Sequence, residues 1–244
     1  IGTATGDHKL VFDKVGQTKK PVDLQMQHLF GSSPKTIIND LTVSTDYKPI
    51  TYDPTLIQEY LKQVLQLEAV ACKDWLTNKV DRSVTGKVAT QQTCGPIQLP
   101  LNNVAVMALD FLSGRGVATS IGHAPGAALV DPVAGSRLAI AEALTNLVWA
   151  PLTHGLPGVS LSANWMWPAK NAGENARIYE AVQAASDFAC GLGINIPTGK
   201  DSLSMKQKYP NDEVIAPGTV IISAAGNCTD IRKVVEPVLQ KDGG

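Results

Sequence analysis

The chain has 244 residues, of which 44% are hydrophobic and 18% are charged, a composition that suits a globular protein and argues against disorder. Its 21 basic and 22 acidic residues give a net charge of -1, so no positive excess points to nucleic acid or an anionic membrane as a partner. The most apolar run, residues 138–150, is shorter than the roughly 20 residues of a membrane-spanning helix, and the four cysteines form no C-x-x-C pair, so we expect a soluble protein of the reducing cytoplasm.

Residues 1–50 are punctuated by glycine and proline and are predicted to be a tail and linker with short extended segments such as residues 10–12. Because the chain begins without methionine and ends in a polar stretch, we expect an internal piece of a longer chain, truncated at residues 237–244. Asp53 is a suitable N-cap and Pro54 a suitable first helical residue, which predicts a connector helix over residues 51–67.

An alternation of strand and helix patterns predicts one α/β domain over residues 68–236. We expect a short helix that ends near Trp75, a polar loop over residues 81–86, and a last short helix capped by Asp230. Strands are predicted at 103–108, 117–121, 159–161, 194–197 and 219–225, and longer helices at 131–150 and 173–192.

The helix over residues 137–146 carries the most informative polar pair. Glu142 and Asn146 are four residues apart and share one helix face, where their oxygens can jointly meet a hard cation such as Mg²⁺. The alternative is a solvated polar strip, or a contact of Glu142 with Arg137. Small neighbours, among them Ala139 and Ala143, leave room for a ligand to approach.

Two further patterns are compatible with chemistry. Residues 198–204 follow a predicted strand and combine glycine, lysine and hydroxyl side chains as phosphate-holding loops do, although the spacing is not that of a Walker A motif and an ordinary exposed loop is equally compatible. Cys94 and His123 are a weaker hypothesis for a thiolate pair, because no third group that would orient them is identifiable.

Six blocks taken together closely resemble the large, single-chain phosphoribosylformylglycinamidine synthases of purine biosynthesis. Their order and spacing match over nearly the whole chain, which is far more specific than any one motif. The blocks are residues 81–86 (DRSVTG), 95–106 (GPIQLPLNNVAV), 142–147 (EALTNL), 161–166 (LSANWM), 199–205 (GKDSLSM) and 216–223 (APGTVIIS).

The resemblance implies a fold and a place in a larger enzyme. It implies a mixed β-sheet with helices packed on one face, like the N-terminal domain of the aminoimidazole ribonucleotide synthetase superfamily. Enzymes of this family convert formylglycinamide ribonucleotide, ATP and glutamine into formylglycinamidine ribonucleotide, with ammonia from a separate glutaminase domain. The chain resembles the N-terminal α/β unit of the second of two pseudo-symmetric synthase halves, preceded by the tail of another unit.

The resemblance also implies site residues. It places Mg²⁺ on Asn103, Glu142 and Asn146, and it places ATP or ADP contacts at Asn102 and Lys73. The family usually has aspartate at the position of Asn103, so one anionic ligand is replaced by a neutral amide here. No catalytic residue is expected in this chain, because the catalytic His-Asn-His-Pro segment of the family is missing.

Two functions from different classes follow. The first is a ligase fragment that binds nucleotide and Mg²⁺, scaffolds the catalytic half, and is inactive without that half and the glutaminase domain. The second is a non-enzymatic assembly module with a vacant nucleotide site. In either case we expect the sheet to expose an apolar face or edge around Val104, Val106 and Met107, so the fragment should self-associate or be close to its solubility limit.

Overall fold

A computed structural model describes residues 1–32, 35, 37–43, 46–68, 70–72, 82 and 86–241. The chain divides into two compact units, Ile1–Asn39 and Asp40–Gly244. The expected helix near Trp75 and most of the expected loop over residues 81–86 lie outside the described residues. No helix among the described residues is long and apolar enough to cross a membrane.

The first unit is a hairpin followed by one helical turn. Strand β1 (Lys9–Phe12) pairs antiparallel with β2 (Val22–Gln25), and helix α1 (Met26–Phe30) continues directly from β2. The expected extended segment at residues 10–12 therefore lies in β1. None of its described residues is buried, so this unit has no core of its own among those residues.

A connector helix begins where the sequence predicts it. The Asp53 carboxylate accepts a hydrogen bond from the Thr55 N–H, Pro54 opens a 3-10 turn (Pro54–Leu56), and helix α2 follows (Ile57–Leu65). Proline suits this position because the first N–H groups of a helix have no partner within it. Most apolar side chains of α2 are exposed, as Ile57 and Leu61 illustrate.

The second unit is built on a six-stranded mixed sheet in the order β3-β4-β5-β10-β6-β7. All neighbouring pairs are antiparallel except β6 and β7, which are parallel and joined through a long helix. The strands are β3 (Val88–Thr90), β4 (Val104–Ala108), β5 (Gly116–His123), β6 (Val159–Met166), β7 (Asn195–Ser202) and β10 (Thr219–Cys228); a separate hairpin pairs β8 (Lys206–Lys208) with β9 (Glu213–Ile215).

Helices α3 (Pro125–Val130), α4 (Pro132–Leu147) and α5 (Glu174–Leu192) complete the unit. Asp131 accepts hydrogen bonds from the Val133 and Ala134 N–H groups and so caps α4, as the sequence predicts. Gly193 ends α5 in the left-handed conformation that glycine adopts without penalty. Helix α3 is not among the elements that the sequence pattern predicts.

Two strands extend beyond their predicted ends. Strand β6 continues through Trp165 to Met166, and β7 includes residues 198–202, which were expected to form a phosphate-holding loop. That expectation is wrong for these residues, because Thr198 to Ser202 pair in register with Ser162 to Met166 of β6. The Lys200 ammonium donates to the Ser202 hydroxyl within the same strand.

The core lies on one face of the sheet, beneath α4 and α5. Alternate residues of β4, β5, β6 and β10 are buried there, as strand geometry requires. Val104 and Val106 are 3% and 0% exposed, so the expectation that they form an exposed apolar face is wrong. The opposite face instead carries Ala105 and Ile121, of which Ile121 is 58% exposed.

Helix α5 receives its cap from a distant residue. Its own N-cap residue, Gly173, has no side chain to offer, and the Asp40 carboxylate accepts hydrogen bonds from the Gly173 N–H at 3.1 Å and the Asn175 N–H at 3.0 Å. Desolvation alone would raise the pKa of Asp40, but hydrogen bonds from backbone N–H groups outweigh it and hold this pKa below its ordinary range. Asp40 thus fastens the start of the second unit to α5.

We predict that Asp40→Ala lowers the thermal midpoint of unfolding at neutral pH, because the first N–H groups of α5 lose their acceptor. Asp40→Asn is the matched control, since asparagine caps nearly as well without the charge. A depressed folded-state pKa gives stability that is present above the ordinary pKa and lost as the pH falls through the depressed one. In thermal melts followed by circular dichroism, the midpoint of Asp40→Ala should lie below that of the wild type at neutral pH, and the difference should shrink in acid. Equal midpoints at neutral pH would contradict the cap.

Candidate nucleotide and metal site

Glu142 and Asn146 face the end of strand β5 because α4 lies unusually close to that strand. At Gly122, a Cβ atom would collide with the backbone of Ala139 and Ala143, so only glycine permits this packing. Two residues earlier, on the same face of β5, the Ser120 hydroxyl donates to the Ala143 carbonyl at 2.6 Å. The helix is thereby held at a fixed height and rotation over β5.

At this distance both polar side chains reach the strand backbone. A Glu142 carboxylate oxygen, Oε2, accepts from the His123 N–H at 2.6 Å and lies 3.7 Å from the His123 ring Nδ1. The Asn146 amide donates to the Ile121 carbonyl at 3.0 Å. Glu142 Oε1 and Asn146 Oδ1 make no hydrogen bond to any described residue, so both oxygens are open to an external partner.

Asn103 is brought to the same end of the sheet by strand pairing. Val104 pairs with Ser120, so the next positions along the two strands are Asn103 and Ile121, whose carbonyl holds Asn146. Strand pairing thus places the backbone of Asn103 beside Ile121, at the end of β5 that Glu142 and Asn146 contact. Among the described residues no group of three or more histidine, cysteine or acidic side chains is placed to hold a metal.

Asn102 is hydrogen-bonded to Gln91 and Gln92, in the loop that follows strand β3. Its backbone N–H donates to the Gln92 carbonyl and its side-chain amide to the Gln91 carbonyl at 2.7 Å. The loop is itself fixed by Arg82, whose guanidinium donates to the side-chain oxygens of Gln91 and Gln98. The Asn102 Oδ1 atom is buried and has no hydrogen-bond partner.

A cavity of about 470 Å³ opens beside Asn102, where the sequence pattern predicts none. Its walls come from residues 101–104, from Trp149 just after α4, and from residues 235–239 near the end of the chain. The carboxylate of Glu236 lies 3.4 Å from the Asn102 amide nitrogen. No local sequence signal joins these three segments, although an aromatic residue shortly after the Glu142–Asn146 helix could have drawn attention to Trp149.

The remaining candidates from the sequence are Lys73 and the Cys94–His123 pair. Lys73 lies outside the described residues. Cys94 is 3% exposed, and its thiol donates to the Pro100 carbonyl. Burial raises the pKa of the Cys94 thiol, and the Glu236 carboxylate adds to that effect, whereas a nucleophilic cysteine needs a lowered pKa. The structure therefore argues against the Cys94–His123 pair.

One protein family, described as "FGAR-AT PurM_N-like domain", matches residues 72–227. The chain belongs to this family. Human phosphoribosylformylglycinamidine synthase is 41% identical over 260 residues, covering 100% of this chain and 19% of the human protein. A probable chloroplastic/mitochondrial synthase of Arabidopsis thaliana is 45% identical over 223 residues, covering 91% of this chain and 16% of the plant protein. The chain thus spans less than a fifth of the length of these relatives.

Solved structures share the fold at low sequence identity. PurLQS of Thermotoga maritima superposes with a TM-score of 0.55 at 17% identity, over 91% of this chain and 32% of that one. PurL of T. maritima complexed with ATP gives 0.51 at 16% identity, over 90% and 31%. The expected architecture, a mixed sheet of the aminoimidazole ribonucleotide synthetase type with helices on one face, is confirmed.

We predict that Gly122→Ala destabilises the second unit by about 1–3 kcal/mol, because the added methyl group must push α4 away from β5. The displacement would also move Glu142 and Asn146 away from their backbone partners. Gly126→Ala in α3 is the matched control, because its Cβ would meet nothing within 4 Å and alanine favours the helix. Urea unfolding of both variants checks this, and equal stabilities for the two would contradict the close contact.

Proposed function

We propose that the chain is the N-terminal-type α/β unit of the second synthase half of a phosphoribosylformylglycinamidine synthase. In that setting it would take part in the ATP-dependent conversion of formylglycinamide ribonucleotide and glutamine to formylglycinamidine ribonucleotide in purine biosynthesis. Identities of 41–47% to proteins named as such synthases support this assignment. The partners implied are the other synthase half and a glutaminase domain of the same protein.

Within that enzyme, we propose that the chain binds Mg²⁺ and ATP or ADP at the end of β5. The observation that carries this proposal is that Glu142 and Asn146 both contact the backbone at the end of β5, at His123 and Ile121, where strand pairing also places Asn103. Glu142 and Asn146 each use one atom on the strand backbone and keep an oxygen for a ligand, which fits the oxygen-rich coordination of Mg²⁺. The solved T. maritima relatives complexed with ATP and ADP add support.

The chain's own residues would act by binding and orientation. A bound magnesium ion would neutralise phosphate charge, while the backbone contacts of Glu142 and Asn146 keep their oxygens aimed at it. We propose no catalytic residue here, because none of the four histidines lies in a His-Asn-His-Pro sequence. The chain alone would accordingly form no amidine product from ammonia and ATP.

The alternative is an assembly module with a vacant nucleotide site. Asn103 favours it slightly, because the neutral amide weakens cation binding. The open face of the sheet, with Ile121 exposed beside Ala105, also suits a surface that another unit covers or through which the chain self-associates.

We also propose a cytoplasmic location, which the four free cysteines support. The plant relative is named as chloroplastic/mitochondrial, so membership of the family does not by itself determine the compartment.

We predict weak binding of MgADP that responds to charge at the site. Asn103→Asp adds a second carboxylate and should tighten binding by about 1–3 kcal/mol, a factor of roughly 5 to 150. Glu142→Gln should weaken binding comparably, because glutamine keeps an acceptor for the His123 N–H but loses the charge. Titration calorimetry with MgADP measures both changes.

Asp187→Asn on α5 is the control for these variants, because it removes the same charge from an exposed position. It should leave the affinity for MgADP unchanged. If Asn103→Asp binds no more tightly and Glu142→Gln no more weakly than wild type, these side chains are not metal ligands, and the assembly module becomes the better account.

A further inference from the structure

The start of the second unit is bound to two helices of that unit, and we call its described residues, 40–43 and 46–47, the strap. At the start of the strap, the Asp40 carboxylate accepts hydrogen bonds from the first N–H groups of α5. At its end, the Tyr47 hydroxyl donates to the Leu129 carbonyl at 2.7 Å, in the last turn of α3. The strap therefore links α5 to α3, although neither helix is its neighbour in sequence.

The strap also lies directly against α5. At Gly173, a Cβ atom would come within 2.9 Å of the Val43 side chain and within 3.2 Å of the Val43 backbone nitrogen, so a larger residue would displace the strap. The Thr42 hydroxyl donates to the Glu180 carboxylate at 3.4 Å, in the second turn of α5. The strap is therefore in contact with the first two turns of α5.

The carbonyl that Tyr47 binds is shared with Arg177 of α5. The Arg177 guanidinium donates to the Leu129 carbonyl at 2.9 Å and to the Ala128 carbonyl at 2.7 Å. The Arg177 side chain is only 14% exposed, and its Nε atom lies 3.4 Å from the Glu174 carboxylate. The last carbonyl groups of a helix have no partner within it and favour a cation nearby. The strap and α5 together therefore bind the end of α3.

Helix α3 joins the two elements that form the candidate site. It begins at Pro125, two residues after His123, whose N–H donates to the Glu142 carboxylate. A single residue separates its end from the start of α4, the helix that carries Glu142. It is also packed on α4, because a Cβ atom at Gly135 would collide with Ala128. A displacement of α3 must therefore move the end of β5, the start of α4, or both.

We propose that the strap is a latch that positions Glu142 by holding α3 against α5. Tyr47 and Arg177 would be positioning residues, because they bind α3 and make no contact with Glu142. The two states are strap bound and strap released, and release would loosen the hydrogen bond between the His123 N–H and Glu142. The consequence for Mg²⁺ rests on the proposed function: ligand binding and closure of the latch would favour each other, because coupling between sites is reciprocal.

The test is amide hydrogen exchange, measured by NMR on the full chain of the wild type and of Tyr47→Phe, which removes only the hydroxyl. Three backbone amides report on the latch. Those of Ala128 and Asp131 donate within α3, to carbonyls four residues earlier, and that of His123 donates to Glu142. Exchange at all three should become roughly twofold to tenfold faster, because opening costs one hydrogen bond less.

Two controls assign the effect to the strap. Tyr179→Phe is the same change on α5, at a side chain that is 70% exposed and makes no hydrogen bond to any described residue, so it should leave the three amides unchanged. The Tyr209 amide, which donates to the Asp212 carbonyl beside the separate β8–β9 hairpin, should exchange equally in all variants. Asp40→Ala, at the other end of the strap, should accelerate the same three amides as Tyr47→Phe if the strap opens as one piece.

The outcomes separate this inference from the proposed function. If Tyr47→Phe accelerates only Ala128 and Asp131 and leaves His123 unchanged, the strap merely secures α3 and the latch is wrong; no change at any of the three also overturns it. If all three amides respond but MgADP does not bind to the wild type, the latch stands and the proposed metal site fails. If MgADP binds, it should slow exchange at Ala128 and Asp131, and unchanged rates there would contradict the coupling to the site.

Discussion

The site depends on the approach of α4 to β5 at Gly122. With no Cβ atom in the way, the helix backbone at Ala139 and Ala143 settles directly on the strand. The buried Ser120 hydroxyl bonds to the Ala143 carbonyl and fixes the same turn. Side chains one turn apart on α4, Glu142 and Asn146, then contact the strand backbone, and these contacts orient both side chains.

The polar groups of the candidate site are oriented by backbone atoms more than by one another. Glu142 is fixed by an N–H group of β5, Asn146 by a carbonyl of β5, and Asn102 by a carbonyl of the preceding loop. Each side chain therefore has a set direction before any ligand arrives. In a site with a single carboxylate among its proposed metal ligands, such preorganisation would have to provide affinity that charge does not.

The two faces of the sheet have different roles. One is closed by α4 and α5 over a core of small and branched residues, while the other leaves Ile121 and part of Met107 accessible. A chain that spans less than a fifth of its relatives can bury such a face against the rest of a larger protein. The proposed nucleotide site lies at the end of β5, where the backbone groups of His123 and Ile121 bind the Glu142 and Asn146 side chains.

The sequence by itself determined most of the elements and the family. Helix caps at Asp53, Asp131 and Asp230, the stop at Gly193, and the alternation in β4 depend on neighbouring residues, so local patterns suffice to read them. The four-residue spacing of Glu142 and Asn146 likewise placed them on one helix face. Blocks in a characteristic order indicated the family, which the family match confirmed.

Only the tertiary structure determined the extent of β7, the cap of α5 and the cavity, because each of these features depends on residues that are far apart in the chain. Residues 198–202 resemble a polar loop, but pairing with β6 makes them a strand. The cap of α5 comes from Asp40, 133 residues before Gly173, and the cavity joins Asn102 to Trp149 and Glu236. Local sequence does not specify such long-range contacts. A helix cap or a cavity wall needs only a suitable side chain, and the fold determines which distant segment supplies that side chain.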